Sequence, residues 1–256
     1  FEPHPAELLK PASPKQRLVV PERKTALLAE CGSDVVLAQR FDDNFADLTA
    51  ARFAGDVLVR ALGAKMVIVG ENFRFGRGRE GGLKTLCKLG EKLGFAVRSK
   101  TLVQSDNVEI SSTRIRKLIM DGSVADANDL LGRRHELPGK VIHGEGKGRE
   151  FGFPTINLGE VAVLVPGPGI YAAYCDIDDR VEKAAVYIGD RPTLGYGYTI
   201  EAFLIDFSGD LYGRRATLRF VERVRGDKKF DSLSSLTKQI ARDVERTRGI
   251  LESNRD

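Results

Sequence analysis

The stretch GKVIHGEGKGREFGFPTIN, Gly139 to Asn157, decides how this chain is read. Lys140-Val141-Ile142 has the character of a strand. Four glycines follow, Gly144, Gly146, Gly148 and Gly152, with Lys147 and Arg149 set among them. Glycines let backbone N–H groups turn inward and approach an anion closely, and two cations add charge for phosphate. Thr155 and Asn157 stand two apart, so in an extended segment they project from one face. A hydroxyl and an amide oxygen on one face suit a Mg²⁺ carried by phosphates. The segment therefore reads as a nucleotide site.

It is not one of the two common phosphate loops. A Walker loop that used Gly146-Lys147 would need glycine at Val141 and a hydroxyl at Gly148. A dinucleotide fingerprint starting at Gly144 would end on Arg149, and one starting at Gly146 on Phe151. The competing reading on the glycines alone is a hairpin turn with solvated charges. The Pro154-Thr155-Ile156-Asn157 end favours a site.

Around this segment the chain changes rhythm. Upstream, residues 1–119 alternate helix and strand: strand-like 17–20 and 34–39, helices over 24–30, 49–62 and 83–93, and strands at 66–69 and from 96. Such alternation predicts a parallel sheet with flanking helices, with ligands at the carboxyl ends of the strands. The loop from Glu71 through Asn72, Phe73, Arg74 and Phe75 to Gly76 lies at such an end. Residues 111–120 read as a helix whose N-cap is Ser111 or Ser112, with Arg116 a turn on. That is either a phosphate site at a helix N-terminus or an ordinary capped basic helix. Residues 120–132 read as a helical connector. From 133 to 256, short strands at 137–142, 169–176, 183–188, 199–206 and 215–222 alternate with glycine and proline turns, which predicts a small antiparallel barrel. A terminal helix at 233–251, apolar at 233, 236, 240, 244 and 251, would pack on it. The fold class expected is thus α/β plus all-β.

Alternation around Glu201 puts Glu201, Phe203 and Ile205 on one face of a strand. If that face is the core, a carboxylate points inward and needs a partner or a task, such as taking a proton from a substrate hydroxyl. The other reading is an edge glutamate in water.

Composition narrows the class. With 256 residues the chain has room for one large or two ordinary domains. The net charge of +4 suits anionic ligands without singling out nucleic acid, and no aromatic platform accompanies the dispersed cations. No apolar run has the length of a membrane span. Three scattered cysteines, Cys31, Cys87 and Cys175, in no metal-binding spacing, point to a reducing, cytoplasmic setting.

Together these motifs resemble the bacterial bifunctional riboflavin kinase/FMN adenylyltransferase (FAD synthetase) family, over essentially the whole chain. The C-terminal matches are Leu131-Gly132-Arg133, His143-Gly144-x-Gly146-x-Gly148-Arg149, Gly152-Phe153-Pro154-Thr155-x-Asn157, Pro168-Gly169-Ile170-Tyr171, Ile188-Gly189-x-Arg191-Pro192-Thr193 and Glu201 through Asp206-Phe207 to Asp210-Leu211-Tyr212-Gly213, with Arg225 and Lys229-Phe230 before the last helix. The N-terminal matches are Phe1-Glu2-Pro3-His4-Pro5, Val69-Gly70-x-Asn72-Phe73-x-Phe75-Gly76 and Ser111-Ser112-Thr113-x-Ile115-Arg116.

The resemblance implies a Rossmann-like nucleotidyltransferase domain, then a six-stranded riboflavin kinase barrel with a C-terminal helix. It implies riboflavin, FMN and ATP as substrates and Mg²⁺ as cofactor. In the kinase half, Gly144, Gly146, Lys147, Gly148, Arg149 and Gly152 would cover the ATP phosphates, Thr155 and Asn157 would hold the metal, and Glu201 would be the base. In the other half, Asn72, Phe73, Ser112, Thr113 and Arg116 would bind nucleotide or flavin. Three departures stand out. The family's Gly-x-Phe-Asp-x-x-His-x-Gly-His segment is absent ahead of Phe1, which makes the expectation an N-terminally truncated chain with an impaired adenylyltransferase. Phe203 stands where relatives often carry histidine. Glu150-Phe151 replaces a small or aliphatic pair. The bland alternatives are a non-catalytic flavin-binding barrel and a nucleic-acid binder.

Overall fold

The strand residues of the second half close on themselves. In the computed structural model of the protein, which describes residues 1–9, 16–101, 103–105, 108–144, 148, 152–190 and 198–254, the chain divides into two compact units. One is Phe1–Lys15 with Lys24–Ile110, and the other is Gln16–Arg23 with Ser111–Asp256.

The first unit contains the expected strand–helix–strand run. Strand β1 (Met66–Gly70) pairs in parallel with β2 (Ala96–Lys100), Met66 opposite Ala96 and Gly70 opposite Lys100. The helix between them spans Leu83–Leu93 and ends where the sequence predicts, on a left-handed Gly94 whose N–H bonds to the Gly90 carbonyl at 2.8 Å. Leu86 is its fully buried anchor, packed with Ala54, Phe75 and Phe95. The predicted helix over 49–62 is capped by Thr49, runs as α-helix through Ala50–Arg52 and continues as a π-helix through Phe53–Ala61.

Two expected strands are not strands. Residues 34–38 form no ladder, and Val35 and Leu37 are exposed; apolar, β-branched content is not enough without a partner edge. Residues 17–20 belong to the second unit as an irregular strap. The Arg17 carbonyl accepts from Leu164 N–H at 2.8 Å, Val20 packs on the barrel core, and Arg23 forms a two-pronged ion pair with Glu136, closest approach 2.9 Å.

The second unit is a closed six-stranded antiparallel barrel. Its strands are β5 (His135–Ile142), β6 (Thr155–Gly159), β7 (Gly169–Ile177), β8 (Arg180–Asp190), β9 (Tyr198–Leu204) and β10 (Arg215–Arg225), in the order β10-β5-β6-β9-β8-β7 around the wall; the numbers β3 and β4 belong to a short hairpin, Gln104–Ser105 and Val108–Glu109, of the first unit. Its core holds Leu137, Val141, Tyr171, Val186, Ile188, Ile200, Ala202 and Leu218. Helices Ser112–Met120 and Val124–Leu131 fall in this unit. The terminal helix, Leu233–Ser253, is capped by Ser232, whose hydroxyl accepts from Ser235 N–H at 3.2 Å. It buries Leu251 on the outside of the barrel against Ala172, Tyr174, Val221 and Val224, and Val244 is buried as well. Leu233, counted in the predicted apolar stripe, is exposed.

The register decides which way Glu201 faces. Ile200, Ala202 and Leu204 fill the barrel, so Glu201 and Phe203 point to its outer face, and Ile205 lies beyond the end of the strand. Strict alternation separates two faces but does not say which is inside.

Candidate active site

The outer face of the β6–β9 pair is where the sequence-predicted residues meet. In the ladder Asn157 stands directly opposite Glu201, and Thr155 opposite Phe203. Opposed residues point to the same side of a sheet, so a hydroxyl, an amide and a carboxylate share one surface. The Thr155 hydroxyl faces a Glu201 carboxylate oxygen at 3.4 Å, a long and weak donation. All three side chains are half-buried. Ile156, between Thr155 and Asn157, packs on the opposite side against the barrel core.

The glycines give close approach. A methyl group built on Gly144 would overlap the Asn157 carboxamide, and one on Gly148 would meet the Phe153 carbonyl and the Thr155 hydroxyl. The main chain at these positions therefore lies against the polar face, and any side chain would collide with it. Phe153 N–H bonds back to the Gly148 carbonyl at 2.9 Å, and Gly152 is left-handed and exposed. Gly146, Lys147 and Arg149, with Glu150, Phe151 and the Arg191-Pro192-Thr193 match, lie outside the described residues.

Next to the polar face is a cavity of about 310 Å³. Thr155, Glu201 and Phe203 line one side, with Phe153 edge-on to Phe203 at 5.4 Å between ring centroids. Tyr187 adds to this wall; Arg225, Phe230, Leu236 and Asp243 line it from the last strand, the loop after it and the terminal helix. The sequence reading missed Tyr187 and Asp243. One faint signal was available for Asp243: it stands four residues after Gln239 on a helix, the spacing at which side chains meet, and Gln239 does bond to it at 2.9 Å.

The residues expected to serve the other half fall in two places. Asn72 and Phe73 follow β1 in the first unit. Phe73 lines a cavity of about 490 Å³ whose walls are aromatic, including Phe1, Phe41, Phe45, Phe53 and Phe75, with Arg74 and Arg79 also at its lining. The Phe73 and Phe75 rings stack at 5.4 Å. Ser112, Thr113 and Arg116 lie on the first turns of helix Ser112–Met120 in the second unit. The cap there is Ser111, which accepts from Arg114 N–H at 3.3 Å, and this leaves the Ser112 and Thr113 hydroxyls exposed at the N-terminus. The Arg116 Nε donates to the Gln16 carbonyl at 2.7 Å, and partial burial pushes its guanidinium pKa down.

Comparison with known proteins gives the family. The Flavokinase (riboflavin kinase) family profile matches residues 131–251, and the FAD_syn (FAD synthetase) profile matches residues 1–114. The bifunctional riboflavin kinase/FMN adenylyltransferase of Escherichia coli strain K12 is 40% identical over 245 residues, 95% of this chain and 78% of that protein. The chain belongs to the bifunctional riboflavin kinase/FMN adenylyltransferase family. Members from Pseudomonas fluorescens, at 36% over 252 residues, and Bacillus subtilis strain 168, at 32% over 250 residues, match over nearly the same span. A solved Streptococcus pneumoniae chain described as a macrolide-efflux protein has the same fold, with a TM-score of 0.82 and 30% identity over 90% of this chain and 75% of that one. Among the described residues no helix is long and apolar enough to cross a membrane.

Proposed function

We propose that the barrel unit transfers the γ-phosphoryl group of ATP to the ribityl 5′-hydroxyl of riboflavin at the outer face of β6 and β9. The observation that carries this reading is the pairing of Asn157 with Glu201 across the ladder, with Thr155 beside them and a cavity of about 310 Å³ adjoining. Phosphoryl transfer asks a protein mainly for positioning and charge stabilisation. The cavity holds the flavin ring and directs the ribityl chain toward Glu201. The Glu201 carboxylate accepts the hydroxyl proton as that oxygen bonds to the γ-phosphorus and ADP departs. Gly144, Gly146, Lys147, Gly148, Arg149 and Gly152 cover the phosphates.

Mg²⁺ fits the donors present: a hydroxyl and an amide oxygen beside a carboxylate are hard oxygen ligands, and glycine at 144 and 148 lets the main chain lie directly against them. Thr155 and Asn157 would hold it. When bound, the ion neutralises charge on the phosphate oxygens.

The adenylyltransferase function is assigned to residues 1–119. The aromatic cavity takes the FMN ring, Asn72 and Phe73 serve as nucleotide or flavin contacts, and Ser112, Thr113 and Arg116 bind the ATP triphosphate at a helix N-terminus. The kinase half is assigned to 133–256, joined through 120–132. Three free thiols accord with a cytoplasmic enzyme. Incubation with riboflavin, ATP and Mg²⁺ followed by separation of FMN and FAD tests both halves. Absence of FMN, or FMN formation undiminished by Glu201→Gln, refutes the kinase assignment.

A further inference from the structure

The cavity beside Glu201 is lined on one side by Arg225, Phe230 and Asp243, of which Arg225 and Asp243 form a largely buried ion pair. Arg225 is the last residue of β10. That strand is irregular near its end, with a register shift against β7 between Arg223 and Arg225. Bulges re-aim side chains, and the residues around this one do not alternate. Val221 and Val224, three apart, both pack with Leu251 of the terminal helix, and Arg225 reaches Asp243 on the same helix.

The contact is two-pronged. Arg225 Nε lies 3.1 and 3.0 Å from the two Asp243 oxygens and Nη2 lies 2.8 Å from Oδ2. Gln239 donates to Oδ1 at 2.9 Å, and Arg225 Nη1 donates to the Gly226 carbonyl at 2.9 Å. The carboxylate side chain is 7% exposed and the guanidinium side chain 20%. Burying two charges costs hydration that their attraction roughly returns, so such a pair is weak as a source of stability. Its worth lies in what it holds. From 226 to 229 the loop after Arg225 is exposed, and Phe230 is the residue that turns in. The Phe230 ring lies 5.7 Å from the Arg225 guanidinium and 5.6 Å from the Lys228 ammonium, and it lines the cavity with Arg225 and Asp243. Asp243 thus grips Arg225, and Arg225 lies over the Phe230 ring.

We propose that Arg225 and Asp243 are a positioning pair for the flavin ring: they set the Phe230 wall, and so govern riboflavin binding rather than ATP binding or the chemical step. This rests on the reading of the cavity as the riboflavin site. Arginine is required because lysine lacks both the fork that grips a carboxylate and the flat face that stacks on a ring.

The test is steady-state phosphorylation by the full chain, with riboflavin varied at saturating ATP and ATP varied at saturating riboflavin. Arg225→Lys and Asp243→Asn are each expected to raise the riboflavin KM about tenfold, the loss of one to two charge-assisted hydrogen bonds. The ATP KM and kcat should stay within about twofold. Phe230→Ala should raise the riboflavin KM in the wild-type background and add little to Arg225→Lys, since the two act in series. Leu236→Ala, on the helical side of the cavity, separates the two ideas. If it raises the riboflavin KM while Arg225→Lys and Asp243→Asn do not, the pair has no positioning role. If Leu236→Ala and Phe230→Ala also leave it unchanged, the cavity is not the riboflavin site. Equal rises in both KM values together with a lowered melting temperature would make the pair merely structural and overturn the proposal.

Discussion

Replacing Gly144 by alanine adds one methyl group at an exposed position whose φ is outside the left-handed region, so the backbone has no objection. The added carbon would nevertheless fall on the Asn157 carboxamide. Ordinary side-chain contact begins near 3.4 Å, and the methyl falls short of that by about 1 Å. The Asn157 end group, being the free end of a side chain, is what gives way. It would leave the face it shares with Thr155 and Glu201. A displacement of about 1 Å at a reacting centre costs on the order of a hundredfold in rate, or about 2.7 kcal/mol of barrier. Gly144→Ala is therefore expected to lower kcat/KM for riboflavin phosphorylation about a hundredfold, with the thermal unfolding midpoint nearly unchanged. The decisive measurement is the double-mutant cycle. In an Asn157→Ala background the obstructed group is gone, and Gly144→Ala should cost almost nothing more. If Gly144→Ala costs as much in that background as in the wild type, the loss does not run through Asn157 and the reasoning fails.

Other outcomes follow from the same geometry. Glu201→Gln keeps the shape of the side chain and removes its basicity; phosphorylation should fall by about 10² to 10⁴, with riboflavin binding, followed by quenching of flavin fluorescence, preserved. His135 is fully buried, with Nε2 2.8 Å from the Leu164 carbonyl. Burial, above all, pushes its pKa down to about 4 from the ordinary 6.5. The unfolded chain takes up the proton first as pH falls, so this stability is complete above pH 6.5 and lost on the way down through about 4. The loss approaches about 3 kcal/mol, and urea titrations from pH 7 to 4 should show that slope flattened in His135→Gln. Burial raises the Cys175 thiol to about 12, while Cys31 is exposed. A thiol reagent at neutral pH should modify Cys31 quickly and Cys175 only after unfolding; rapid modification of native Cys175 would contradict the buried barrel interior.

The sequence was legible where local chemistry and packing agree. Helix 83–93 ends on Gly94 because only a residue free of a side-chain carbon takes that turn cheaply, and the amphipathic spacing before it has a core to meet. Thr155, Asn157 and Glu201 were found because a strand keeps residues two apart on one face. Which face was not legible: a barrel wall covered by a helix has apolar residues on both sides. The Arg225–Asp243 contact lay hidden for two reasons. Its partners are on different elements, and the register shift in β10 breaks the alternation that would have aimed Arg225. The aromatic lining of the first unit comes from Phe1, Phe41, Phe45, Phe53, Phe73 and Phe75, widely separated in sequence and united only by the fold. Residues 34–38 failed as a strand because pairing, not composition, makes one.

The strap at Gln16–Arg23 has a consequence for anyone who would cut this protein in two. The kinase barrel is not a contiguous stretch of chain. One of its pieces is separated from the rest by residues 24–110 and lies between two pieces of the other unit. A fragment beginning at Ser111 would contain every barrel strand. It would lack the Val20 side chain that covers part of the core, the carbonyl of Arg17 that satisfies Leu164, and the guanidinium of Arg23 that neutralises Glu136. Expressing the kinase by itself calls for a permuted or fused gene that supplies those eight residues, and a gene boundary drawn at 111 or 133 would release an enzyme missing part of its own outer coat.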